Sequence, residues 1–251
     1  MGAFHEGHLQ LMREARKECD VVVVSLFVNP TQFGPNEDFS RYPRDEDRDF
    51  QMAESVGVDW MFAPPVDVMY PRESSTRVVV GGVSDLWEGE RRPGHFEGVG
   101  TVVAKLFHIV QPQVAYFGLK DLQQCAVIRQ MVRDLNMPIE LRFVETVREQ
   151  DGLALSSRNR YLTAEERAEA PRLHRLLSKL AEAVGQEPGV GRSMIADARA
   201  ELEHNGWKVD YLAMVDSLSM KPVQEPDPDT RIIAAATLGN TRLIDNVAVR
   251  G

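Results

Sequence analysis

Two histidines flank a glycine at the start of the chain, His5-Glu6-Gly7-His8, directly before an amphipathic run. Three residues apart, the two imidazoles share a face if the run is helical. A helix start offers free backbone N–H groups and the positive end of the dipole, which together suit an anion. Gly7 removes a side chain where a ligand could approach the backbone. Two imidazoles and these N–H groups suit a triphosphate, and could stabilise charge as its α-phosphate is attacked. The alternative is a solvated helix end. Zinc is a weaker fit: the metalloprotease pattern HExxH has two positions after the glutamate, whereas this is HEGH with no third ligand cluster.

A second polar stretch, "LALSSRNRYL", places Ser156, Ser157, Arg158 and Asn159 just after the turn signal Asp151-Gly152. Hydroxyls, a fixed cation and an amide on one loop would clamp phosphates. The plain alternative is a polar turn. There is no GxxxxGK[ST] loop, and "GVGTVV" lacks the third glycine of a dinucleotide fingerprint.

Elements that could position these groups follow from periodicity. Leu9, Met12 and Ala15 predict a short helix. "DVVVVSLFVNP" and "VDWMFAP" read as buried strands, and "TRVVVGG" as a third candidate. Between the first two, "RDEDRDFQMAESVGV" predicts a helix with Phe50, Ala53 and Val56 on one face. "GVGTVVAKLFHIV" and "DLQQCAVIRQMVRDLN" carry helical stripes, and "QVAYFGLKD" and "IELRFVETV" predict strands. Alternating strands and helices imply a parallel sheet covered by helices. Near Val147 the pattern changes. Thr163 and Glu166 form a capping box for a long helix through Val184. A second helix runs from about Arg192 to His204, and three strands follow, "DYLAMVD", "TRIIAAATL" and "TRLIDNV". The expected architecture is α/β: a Rossmann-like parallel-sheet domain over 1–147 and a smaller α+β domain over 148–251.

The 251 residues can bury a sizeable core. A net charge of −9 argues against a broad nucleic-acid surface. Val21 to Val28 is too short to span a bilayer, and the charged opening is no signal peptide. Cys19 and Cys125 are expected to be reduced thiols, and the protein cytoplasmic, with no nucleic-acid or membrane partner.

HxGH with a downstream serine-plus-basic loop resembles the HIGH/KMSKS nucleotidyltransferases. Further stretches narrow this: "FVNPTQF", "RYPRDEDRD", "RPGHFEGVGTVVAKLF", "FGLKDLQQ" and the late "TRLIDN". Together they resemble the pantothenate synthetase (pantoate–β-alanine ligase) family across almost the whole chain. The resemblance implies two steps: ATP adenylates the pantoate carboxylate with release of pyrophosphate, then the β-alanine amine displaces AMP. It also implies a Rossmann-like domain, a smaller C-terminal domain that closes over the nucleotide, and a homodimer.

Residue by residue, the resemblance assigns His5 and His8 to the ATP phosphates, and Lys120, Ser156, Ser157 and Arg158 to the same polyphosphate. Gly118 would allow close approach of the ribose and Asp121 would bind its hydroxyls, although an aspartate before a helix is also a good N-cap. Met1 matches a methionine whose backbone contacts substrate. Gln32 and Gln124 match a pantoate-binding pair of amides, and Asn29 and His95, in the same signatures, are assigned to the pantoate site with them. Magnesium is expected with ATP, with Asp47 and Asp49 as candidate ligands; the plain alternative is acids in the first turn of a helix. The family has a strand before its histidine motif, so the gene is expected to continue upstream of Met1 through a central strand. Two rivals remain open at this point: a nucleotidyltransferase that stops after transfer, and an inactive or assembly-only nucleotide-binding remnant.

Overall fold

The histidine pair opens the first helix of the computed structural model, which describes residues 2–35 and 37–250, the Pro188 side chain excepted. Helix α1 (Glu6–Glu18) buries Leu9, Met12 and Ala15, the stripe its sequence predicts. Strand β1 (Val23–Ser25) follows, then α2 (Glu46–Glu54) and β2 (Trp60–Phe62). β1 and β2 pair in parallel, Val23 opposite Trp60. The sequence predicts both strands to be buried, yet Trp60 is 69% exposed and Val21 and Val23 are also exposed. Among the described residues the ladder is two strands wide, and its apolar side chains are not covered on both faces. On α2 the inward residues are Asp49 and Ala53, while Phe50 is exposed.

Two single-turn helices, α3 (Val66–Met69) and α4 (Glu88–Arg91), precede α5 (His95–Val110). "TRVVVGG" forms no strand. Its Val78 N–H is taken by the Thr101 hydroxyl of α5 at 2.9 Å instead of by a ladder partner. Strand β3 (Val114–Gly118) and β4 (Glu140–Val144) make a second parallel pair around α6 (Leu122–Asp134).

The rest is antiparallel with helices. Thr163 caps α7 (Ala164–Glu169) in a reciprocal box with Glu166. The expected long helix is broken here: Pro171 has no N–H to give to a helical ladder, and α8 (Arg172–Gln186) starts afresh. Helix α9 (Gly191–His204) leads to β5 (Trp207–Asp216), β6 (Thr230–Leu238) and β7 (Thr241–Ala248), in sheet order β5-β6-β7. Leu173, Leu177, Leu180 and Val184 of α8 pack with Ile232, Ala234 and Ala236 of β6 in the core beneath them.

The chain divides into two units. One holds the chain up to Leu119 with Gln123–Glu145; the other holds Lys120–Leu122 and everything from Thr146. A separate small cluster, Phe4, Leu9, Met12, Val24, Leu26 and Ala53, lies under α1 in the first unit.

Candidate active site

His5 and His8 cap the helix they open. The His5 Nδ1 accepts the Gly7 N–H at 3.2 Å, and the His8 Nδ1 accepts the His5 N–H at 3.2 Å. The ring centroids are 4.1 Å apart. A backbone N–H can only donate, so each neutral ring carries its proton on Nε2. The capping bonds therefore select the tautomer in which both imidazoles are Nε2–H donors at a helix N-terminus. Capping thus occupies Nδ1 of each ring and leaves the ring proton on the other nitrogen.

Asp49 sits immediately behind this turn. Its Oδ2 accepts the Ala3 N–H at 2.8 Å and its Oδ1 the Phe4 N–H at 2.7 Å, all buried. Ala3 adopts a left-handed backbone (φ 52°), costly for a residue with a Cβ and held only where its surroundings fix it. Asp47, two positions earlier on α2, is exposed. Asp49 gives both oxygens to backbone N–H groups and Asp47 is exposed; no group of three metal-ligating side chains is found among the described residues.

Asn29, Gln32 and His95 do come together. Pro30–Gln32 is a 3-10 turn capped by the Asn29 side chain. Asn29 is 3% exposed. Its Oδ1 accepts from Thr31 and from the Tyr70 hydroxyl (2.9 Å), and its Nδ2 donates to Gly98 O (3.1 Å) and Gln32 Oε1 (3.2 Å). Asn29 is thus the hub that orients Gln32. Helix α5 comes so close that a Cβ on Gly98 would lie 2.5 Å from Thr31 O. His95 donates from Nδ1 to Gln32 O at 2.8 Å and faces the Arg92 guanidinium with Nε2 at 3.1 Å. Since the carbonyl only accepts and the guanidinium only donates, His95 holds the opposite tautomer from His5 and His8. Burial and the Arg92 charge push its pKa down to about 4. Arg92 in turn grips Glu37 with two bonds, 2.8 and 2.7 Å. Burial raises the Glu37 carboxyl, but Arg92 outweighs it and holds Glu37 below the usual carboxylate range.

Adjacent glutamines on α6 divide their work. Gln123 is buried; it accepts the Glu88 N–H at 3.0 Å and donates to Val83 O and Leu86 O at 2.9 and 2.8 Å. Gln124 is partly exposed, and its side chain has no hydrogen-bond partner among the described residues. Gly118 ends β3 with open space where a Cβ would stand. Met1 lies outside the described residues.

The second unit carries the remaining candidates. The Lys120 Nζ lies 3.5 Å from Asp121 Oδ1, in a 3-10 turn (Leu119–Asp121). Ser156 caps another 3-10 turn, Ser157–Tyr161, by accepting the Arg158 N–H at 3.3 Å. Ser157 is buried and Arg158 partly exposed. The turn hangs from the hairpin around Asp151-Gly152, with Gly152 at φ 94°.

A family model described as pantoate-beta-alanine ligase matches residues 1–248. The chain belongs to the pantoate–β-alanine ligase family. It is 53% identical to the pantothenate synthetase of Moorella thermoacetica, over 99% of this chain and 88% of that one. It is 51% identical to that of Thermus thermophilus, over 99% and 91%. The crystal structure of the Thermus thermophilus pantothenate synthetase superposes with a TM-score of 0.96 at 50% identity, covering 100% of this chain and 91% of that one. A Francisella tularensis pantoate-beta-alanine ligase, solved as a complex with "Beta-gamma ATP and Beta-alanine", gives 0.80 at 34% identity, covering 99% and 87%. Family membership fixes the α/β class and leaves residue roles to be argued from the geometry. The sequence reading missed Gln123, Tyr70 and the buried residues of "TRLIDN". Only the Gln-Gln doublet and an apolar strand interrupted by Asp245-Asn246 hinted at them.

Proposed function

We propose that the chain condenses pantoate with β-alanine at the expense of ATP, through a pantoyl adenylate, releasing pyrophosphate and then AMP. The observation that carries this reading is the pair of capping bonds at His5 and His8, from which the Nε2–H tautomer of both rings follows. Two Nε2–H donors at a helix N-terminus suit polyphosphate oxygens and the charge that grows on the α-phosphate during attack. They do not suit proton abstraction, because the basic Nδ1 atoms are engaged by the backbone.

Lys120, Ser156, Ser157 and Arg158 supply further donors to the polyphosphate. Asp121 and Gly118 fit the ribose. Gln32 and Gln124 bind pantoate through amides that both donate and accept, with Asn29 and His95 holding Gln32 in place. Neutral His95 adds no charge beside the carboxylate that must attack. Magnesium enters on the ATP phosphates, with no α2 carboxylate assigned to it. The working form is a cytoplasmic homodimer, which light scattering tests.

The deciding experiment is pantoate-dependent exchange of labelled pyrophosphate into ATP without β-alanine, followed by β-alanine addition in the same tube. Exchange and then amine-triggered AMP release is the expected result. Exchange without an amine-dependent step leaves a nucleotidyltransferase. ATP binding with no exchange leaves an inactive remnant.

A further inference from the structure

The motif "TRLIDN" has no part in the chemistry above, yet it places two polar residues in the middle of a buried strand. Asp245 and Asn246 are 4% and 2% exposed. Side chains alternate along β7. Leu243 and Val249 belong to the core shared with α8, so Asp245 faces the helices and Asn246 the other side of the sheet.

Asn246 is held on every side. Its N–H donates to Asp245 Oδ1 at 2.7 Å, and its carbonyl accepts from Arg148 at 3.3 Å. Arg148 is itself locked to Asp245 by two bonds, 2.6 and 2.8 Å. The Asn246 Oδ1 accepts from Arg231 Nε at 2.7 Å. A guanidinium cannot accept, so this bond fixes which end of the amide faces Arg231. The other end, Nδ2–H, then donates to the backbone carbonyl of Lys120 at 3.2 Å.

We propose that Asn246 is a positioning residue for Lys120: its amide, oriented by Arg231, sets the height and direction of the turn that carries the lysine. Lys120 is a flexible chain on an irregular turn, and its ammonium reaches a phosphate only if that turn is fixed. The bland alternative is a polar residue buried for stability. A buried polar network contributes little net stability for its desolvation cost, whereas one N–H aimed at one carbonyl outside any ladder defines a position. The turn Ser157–Tyr161 also packs on β7, so one strand supports two groups of proposed phosphate ligands.

This inference rests on the reading that Lys120 contacts ATP. Its test is a double-mutant cycle of Asn246→Asp and Lys120→Ala, read by ATP affinity in titration calorimetry, with pyrophosphate exchange and thermal melts beside it. Asn246→Asp keeps the acceptor toward Arg231 and removes the N–H toward Lys120. It is expected to weaken ATP binding about tenfold in the parent chain, with pantoate KM unchanged. In the Lys120→Ala background it is expected to add less than about twofold, since residues that act as a unit are not additive. Equal losses in both backgrounds, or a lowered Tm with unchanged ATP affinity, overturn the inference. Should Asn246→Asp not fold, Arg231→Leu runs the same cycle: a loss confined to the Lys120 background supports the proposal, and an additive loss overturns it. Normal exchange with an additive cycle defeats only this inference. Coupled ATP binding without exchange defeats only the proposed reaction. No ATP binding defeats both.

Discussion

The carboxylate of Asp49 receives the N–H of Phe4 at 2.7 Å, and so ties α2 to the residue that precedes the histidine motif. With the matching bond to Ala3, it holds a left-handed turn in a buried place. Asp49→Ala strands two buried N–H groups, each costing about 1–3 kcal/mol. A loss of about 3 kcal/mol in urea unfolding is expected, together with a fall in exchange activity as His5 and His8 lose their footing. Asp49→Asn, which keeps one acceptor, should lose about half as much. A variant with normal stability and a changed magnesium dependence would return Asp49 to the metal.

Capping and catalysis can be separated at position 5. Asparagine is a good N-cap, so His5→Asn keeps the helix start but loses the Nε2–H donor. The melt should move by less than about 1 kcal/mol, while exchange falls by about 10²–10³. Long-range proton–nitrogen spectra should show Nε2 protonated in both rings. Protonated Nδ1 atoms, or an active His5→Asn protein, would reduce the pair to caps.

His95 gives a pH dependence of definite sign. Its folded pKa is about 4, against about 6.5 in an unfolded chain. The unfolded state gains a proton as pH falls through about 6.5 and the folded state does not until about 4. The stabilisation is therefore complete above about 6.5 and is lost on acidification, by up to about 3 kcal/mol. Glu37 acts in the same direction but lower, in the carboxylate range. Urea unfolding at about pH 7.5, 6.5 and 5.5 isolates His95. His95→Asn should flatten the slope, and an unchanged slope would place the proton uptake elsewhere.

Gln123 and Gln124 should behave as opposites. Gln123→Ala leaves Glu88 N–H, Val83 O and Leu86 O without their partner and should cost about 2–3 kcal/mol of stability. Gln124→Ala should leave the melt unchanged and raise the KM for pantoate about tenfold or more. The reverse pattern would exchange their roles.

Much of this molecule is legible in its sequence. The α1 stripe, the Thr163–Glu166 box and the three late strands follow from periodicity and capping rules that act locally. The errors concern tertiary partners. Trp60 and Val23 carry strand propensity, but their exposure depends on what covers a two-stranded ladder. "TRVVVGG" loses its ladder to one hydroxyl on α5. The backbone partners of Asp49 go unseen because the N–H groups of Phe4 and Ala3 lie 45 and 46 residues away. Pro171 is in plain view and ends the expected long helix by a local rule. At the site, residue types are legible, whereas tautomers and the division between Gln123 and Gln124 are not, since both depend on backbone groups brought in by the fold.

The small cluster beneath α1 has a consequence for how the protein breathes. Phe4, Leu9, Met12, Val24, Leu26 and Ala53 form a far smaller body than the packed residues under β6. Local opening follows the apolar area that must be exposed, so amides of the histidine turn should exchange with deuterated solvent well before those of β6. A ligand that binds only the closed form adds about 2.7 kcal/mol of protection at about a hundred times its Kd. ATP should therefore slow exchange most where the free protein is loosest, and the nucleotide would complete the folding of the element that grips it.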